Sequence, residues 1–243
     1  MTNNLQNQNN TYYETLDENF NQALSLFEND LPHSEIINLL QSGNIAQKQI
    51  AALRIEHLNS ADEAIILAKN LVGHDGKIRE ATSLKLLEFV ENNQYINYFY
   101  DNNIYNILLN AIIDVNSNVC RNIISAISIL QSNSHFTQYF CPELIILTKN
   151  LIEKVKQFDF QDGKYKVNKE VFKLYWCLET IYVLIDHFDI NIIKTILIQT
   201  CKIDEYTIRE KTAKILSKNF SDPILTEIRN ILKNDKNYYV RRF

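Results

Sequence analysis

The strongest constraint on the fold is a phrase that the chain repeats. The segments GHDGKIREAT (73–82), IDVNSNVCRNI (113–123), KIDEYTIREKT (202–212) and KNDKNYYVRRF (233–243) share one order of residue types. Each opens on an acidic or amide-bearing turn, with Asp75, Asp204 and Asp235 among its members. Each then places a β-branched residue: Ile78, Val119, Ile208 or Val240. Arginine follows directly at Arg79, Arg209 and Arg241, whereas Cys120 holds that place in the second segment and Arg121 comes one later. A weaker copy, SGNIAQKQIAAL (42–53), has Ala46 and Gln47 at the two positions. The marks recur every thirty to forty-odd residues, with one double-length gap between Val119 and Ile208. A period in this range predicts stacked supersecondary units, because one unit cannot bury its apolar face alone.

The units are predicted to be helix pairs. Only 4 Gly and 3 Pro occur in 243 residues, too few for an all-β fold with a turn at every corner. Ile208, Thr212, Ile215, Leu216 and Phe220 fall on one helical stripe, as do Ile224, Leu225, Ile228, Ile231 and Leu232. A further helix is expected over Tyr12 to Glu28, and Ser34 has the chemistry to cap the segment EIINLLQS. The double-length gap has room for one more pair, at about 142–156 and 168–188. The second of these is apolar nearly all round, which requires cover on several sides.

The turn chemistry has a physical reason. Asp and Asn satisfy free N–H groups at the start of each second helix. The β-branched residue anchors that first turn, and the arginine can reach a carboxylate or carbonyl of a neighbouring turn. DGKIREAT, DEYTIREKT and DKNYYVRRF resemble the turn and second-helix start of HEAT repeats, across roughly residues 34–243. The resemblance implies a right-handed all-α solenoid of stacked antiparallel helix pairs, HEAT-like or armadillo-like. It implies a single array over 12–243 of about five to six pairs. The chain departs from the pattern at Thr82, Ile123 and Thr212, where a small Ala is usual.

Two stretches fall outside the repeat. Residues 1–11 are Asn/Gln-rich and offer little to bury, so they are expected to be disordered. In QFDFQDGKYKVN (157–168), Phe158, Phe160 and Tyr165 alternate with polar residues around Asp162-Gly163, a hairpin signal and a candidate projection toward a partner. Tyr95, Tyr98 and Tyr100 form a second candidate partner-contact group, since tyrosine supplies contact area with little loss of entropy.

No catalytic, cofactor-binding or metal-ligating set emerges. The histidines (33, 57, 74, 135 and 187) form no HxH or HxxxH pair, and no P-loop, GxGxxG or GxSxG is present. The pairs HD at 74–75 and DHFD at 186–189 fall at expected helix ends, where such residues cap the backbone. Cys120, Cys141, Cys177 and Cys201 lack metal or redox spacing and read as small core residues in a reducing cytosol. Trp176, the sole tryptophan, lies in the most apolar helix and reads as core. A net charge of −4 argues against nucleic acid as a bulk partner. No signal segment or uninterrupted span is visible, so a cytoplasmic protein without membrane insertion is expected.

The expected function is a non-catalytic scaffold holding a protein partner, with no cofactor. The resemblance admits two alternatives. HEAT-like proteins similar to the phycobilin lyases handle a chromophore, and proteins similar to the HEAT-like DNA glycosylases bind nucleic acid.

Overall fold

The computed structural model describes residues 26, 29–73, 75–157 and 169–243, and among these every regular element is helical. The expected helix over 12–28, the tail 1–11, His74 and the hairpin with Phe158, Phe160 and Tyr165 lie outside the described residues, apart from Leu26. The chain divides into two compact units, Met1–Ile104 and Tyr105–Phe243.

The first unit contains α1 (His33–Ser42), α2 (Ile45–Arg54), α3 (Ala61–Lys69), α4 (Gly76–Glu91) and a 3-10 turn (Ile96–Phe99). Helix α2 packs on α4, and α1 packs on α3, which in turn meets the 3-10 turn. These are two layers, joined where α1 meets α2 and α3 meets α4. Asn70, buried at the end of α3, donates to the carbonyls of Leu40 and Ile66 at 3.0 Å each, tying α3 to α1. The start of α1 differs from expectation. Pro32, not Ser34, precedes the first turn, and its carbonyl accepts from Glu35 N at 2.9 Å. Proline needs no partner for an N–H it lacks, and its fixed φ suits a helix entry.

The second unit contains α6 (Ser117–Leu130), α7 (Ser134–Lys156), α8 (Lys169–Val183), α9 (Ile190–Thr200), α10 (Tyr206–Leu216), α11 (Pro223–Lys233) and α12 (Tyr238–Arg241), also in two layers. The division between units falls within α5 (Asn102–Ala111). One layer runs α6, α8, α10, α12 and the other α7, α9, α11, each helix touching the next of its own layer. Pairs α7–α8, α9–α10, α10–α11 and α11–α12 join the layers. Contacts confined to near neighbours along the chain define an all-α solenoid of stacked helices.

The repeated phrase sets the start of the second helix in each pair. Asp75, Asn116, Glu205 and Asn237 are the N-caps, and each side chain accepts from the backbone N–H two residues on, at 2.8, 2.9, 3.3 and 2.9 Å. Three residues after each cap stand Ile78, Val119, Ile208 and Val240, all buried. Seven after it stand Thr82, Ile123 and Thr212, fully buried. In the weak copy Asn44 is the cap and forms a reciprocal capping box with Gln47, at 2.9 and 2.8 Å. Its equivalent positions are therefore Gln47 and Lys48, one residue later than the sequence alignment placed them. Ala51, fully buried seven residues after Asn44, fits the corrected register.

Three further expectations shift. Helix α7 begins at Ser134 and runs through Pro142, so the helix expected at 142–156 is a full two turns longer. Asn133 caps it, accepting from His135 N at 2.9 Å, and proline interrupts one bond without ending the helix. Helix α10 ends at Leu216, short of Phe220, and Asn219 takes a left-handed φ of 59°. On α11 the buried stripe is Leu225, Ile228 and Leu232, while Ile224 and Ile231 are 45% and 61% exposed.

Candidate interaction face

The residue following the β-branched anchor reaches back to its own turn in the same way three times. Arg209 Nη1 donates to the carbonyl of Ile203 at 2.9 Å, six residues earlier, and to that of Asp204 at 2.6 Å. Arg241 Nη1 donates to Asp235 O, also six residues earlier, at 2.6 Å. Cys120 Sγ makes the corresponding contact to Asp114 O at 3.1 Å. The thiol thus stands in for the guanidinium at the turn, but it is too short to go further. Arg209 does go further: Nε meets Asp235 Oδ2 at 2.6 Å and Nη2 meets Oδ1 at 3.3 Å, joining one repeat to the next. Arg121, one position later, faces outward, with Nη1 on Asn118 Oδ1 at 2.9 Å. Arg242 Nη2 donates to Glu210 Oε1 at 2.6 Å.

A continuous set of charged and aromatic groups covers one face of α6, α8 and α10. On α8, Tyr175, Glu179 and Tyr182 share a stripe at i, i+4, i+7, and on and just beyond α10, Lys211, Lys214 and Lys218 share one at i, i+3, i+7. The Arg121 guanidinium lies 6.0 Å from the Trp176 ring centroid. Trp176 meets Tyr175 edge-on at 5.1 Å, and Lys211 Nζ sits 4.2 Å over the Tyr175 ring. Glu179 then accepts from Lys211 and Lys214, each at 2.6 Å. Lys214 and Lys218 both stand over Tyr182, at 4.4 and 4.7 Å. Burial pushes the Glu179 carboxyl up, but hydrogen bonds from the two lysines outweigh it and hold it below the usual carboxylate range. Burial likewise lowers Lys211, yet bonds to Glu179 and Tyr175 carry it above the ordinary lysine value.

Sequence reasoning missed this face because it read α8 as apolar all round. The signal was there in the matching stripes, but nothing in one helix says which other helix it will lie against. Trp176 is 6% exposed, and its indole Nε1 has no acceptor among the described residues. In the tyrosine-rich connector, Tyr95 is buried edge-on against Phe89 at 5.1 Å, while Tyr98 and Tyr100 are half-buried. In the second unit, Tyr105 is fully buried and meets Phe136 edge-on at 5.0 Å.

The remaining polar clusters are small. His33 Nε2 lies 2.9 Å from Glu63 Oε2, and its ring stacks on His57 at 4.1 Å. His135 is 3.4 Å from the Tyr105 hydroxyl, and His187 is exposed. Among the described residues no group of three or more His, Cys, Asp and Glu is arranged to hold a metal, and no helix is long and apolar enough to cross a membrane. Pro223, Thr226, Glu227, Asn230, Ile231 and Asn234 line a shallow depression, but all belong to α11 or its immediate end.

Burial pushes the thiols of Cys120 and Cys177 up to about 12 and that of Cys141 up to about 11. Cys201, half-buried at the end of α9, is also raised. These thiols are therefore protonated and shielded at neutral pH. At about pH 8, a thiol-reactive disulfide reagent is expected to modify Cys120, Cys141 and Cys177 only after denaturant is added. Rapid labelling of the native protein at these positions, read by peptide mass spectrometry, would show that the packing around them opens readily.

No protein-family model and no curated protein matches the chain. Among solved structures it is similar to two engineered proteins from the Northeast Structural Genomics Consortium and to a designed armadillo repeat protein. The first engineered protein is 14% identical with a TM-score of 0.48, over 86% of this chain and 92% of that one. The second is 16% identical with a TM-score of 0.49, over 88% and 95%. The designed armadillo repeat protein is 14% identical with a TM-score of 0.43, over 86% and 94%. At such low likeness the assignment to stacked helical repeats rests on the chain's own layer contacts.

Proposed function

We propose that this protein is a non-catalytic scaffold that holds a protein partner on the side-chain face of α6, α8 and α10, and that its repeats are kin to HEAT repeats. The observation that carries the reading is the unbroken contact chain from Arg121 to Lys218, spanning three successive helices of one layer. Such a face offers half-buried rings and cations already held in place by their neighbours. Preordered aromatic and cationic groups lose little side-chain entropy when a partner docks, and aromatic residues and arginine are enriched at protein interfaces. The HEAT kinship is supported by the caps Asp75, Asn116, Glu205 and Asn237 with Ile78, Val119, Ile208 and Val240 three residues on.

The test is capture of partners from the native organism's extract, identification by mass spectrometry, and titration of the purified candidate. Tyr182→Ala combined with Lys214→Ala is expected to weaken binding about tenfold, the equivalent of about 1.4 kcal/mol. A partner that binds this variant as it binds the parent protein would place the interface elsewhere.

A further inference from the structure

We infer that the face of α6, α8 and α10 takes an extended acidic peptide whose carboxylates are set on Arg121 and Lys218, an inference that rests on the scaffold reading above. Charge is the first reason. The contact chain holds four cations, Arg121, Lys211, Lys214 and Lys218, and one carboxylate, Glu179. Glu179 spends both oxygens on Lys211 and Lys214. Among the described residues no carboxylate lies within ion-pair reach of Arg121 or Lys218. Both are exposed and stand at opposite ends of the chain of contacts. A protein of net charge −4 thus carries a local positive excess with two charges left to a partner.

The middle of the face selects the class of partner. Glu179 neutralises one of the two lysines it binds, so the charge free for a partner is concentrated at Arg121 and Lys218 rather than spread evenly along the face. The ring of Tyr175 is covered by Lys211 and that of Tyr182 by Lys214 and Lys218, so bases have no open ring on which to stack. A peptide matches this pattern when its acidic residues are separated by a neutral, partly apolar stretch. That stretch passes over the half-buried edges of Tyr175 and Tyr182 while the carboxylates reach the terminal cations. Neighbouring helices lie about 8–10 Å apart, so a segment of about ten residues, about 33 Å when extended, crosses all three.

The experiment uses the full chain and a fluorescein-labelled peptide of about ten residues, with Glu near each end and Ser and Leu between. Anisotropy and the emission of Trp176, the sole tryptophan, are followed together. The expected result is saturable binding that weakens as salt rises and that the Gln-for-Glu peptide lacks. Arg121→Glu with Lys218→Glu, at two exposed sites, is expected to reduce affinity about tenfold or more with an unchanged melting temperature. Equal binding of the Gln peptide, or unchanged affinity in the folded double variant, overturns the inference. Single-stranded DNA that binds as tightly as the peptide and is lost in the same variant overturns it in favour of a nucleic-acid surface. A captured protein partner that still binds the double variant leaves the scaffold standing and removes the acidic site alone.

Discussion

Ile208→Asp is expected to lower the melting temperature by roughly 10–20 °C, or to abolish cooperative folding of the second unit. Ile208 is fully buried three residues after the Glu205 cap, where α10 meets both α8 and α12. The substitution removes about 2–3 kcal/mol of apolar burial. It also buries a carboxylate in the fully buried position of Ile208, and the two effects together reach about 5 kcal/mol. Arg209 is adjacent in sequence but is committed to Asp235 and to two carbonyls. Circular dichroism melting measures the outcome, and an unmoved transition would mean that position 208 does not face the core. Ile208→Val, which keeps the branched shape, is expected to cost about 1 kcal/mol.

Arg209→Ala is expected to cost about 3–5 kcal/mol by chemical denaturation. The Arg209 and Asp235 side chains are 7% and 10% exposed, so removing one leaves the other as a buried charge. The carbonyls of Ile203 and Asp204 lose a donor at the same time. Arg209→Lys is expected to recover only part of the loss, because an ammonium cannot reproduce the two-pronged contact. The effect depends on pH. Burial raises the Asp235 carboxyl, but hydrogen bonds from Arg209 and from the Asn237 N–H outweigh it, leaving it below the ordinary value. A depressed carboxyl contributes stability that is complete above its unfolded value, about 3.9, and disappears as pH falls through its folded value. The stability gap between the parent protein and Arg209→Ala should therefore be level above about pH 5 and narrow below about pH 4. A gap that is flat down to pH 2 would mean that the pair carries no net stabilisation.

The contrast between Cys120 and Arg209 shows how far sequence carries. The phrase marks the helix starts because a cap, a buried branched residue and a back-reaching donor are local requirements, satisfied within seven residues. Pro142 and the weak copy at 42–53 misled for the same local reason. A proline reads as a stop until packing holds the helix through it, and an alignment by residue type can slip by one where the cap does not.

The sequence by itself determined that this chain makes helices, where the repeated pairs turn, and that their second helices bury Ile78, Val119, Ile208 and Val240. Those outcomes follow from period, capping and side-chain shape, which act over a few residues. Only the tertiary structure decided that Arg209 closes on Asp235, twenty-six residues away, and that Lys211, Lys214 and Lys218 lie against Tyr175, Glu179 and Tyr182. Such pairings depend on which stripe of one helix faces the next, and that is fixed by the packing of whole side-chain surfaces between helices.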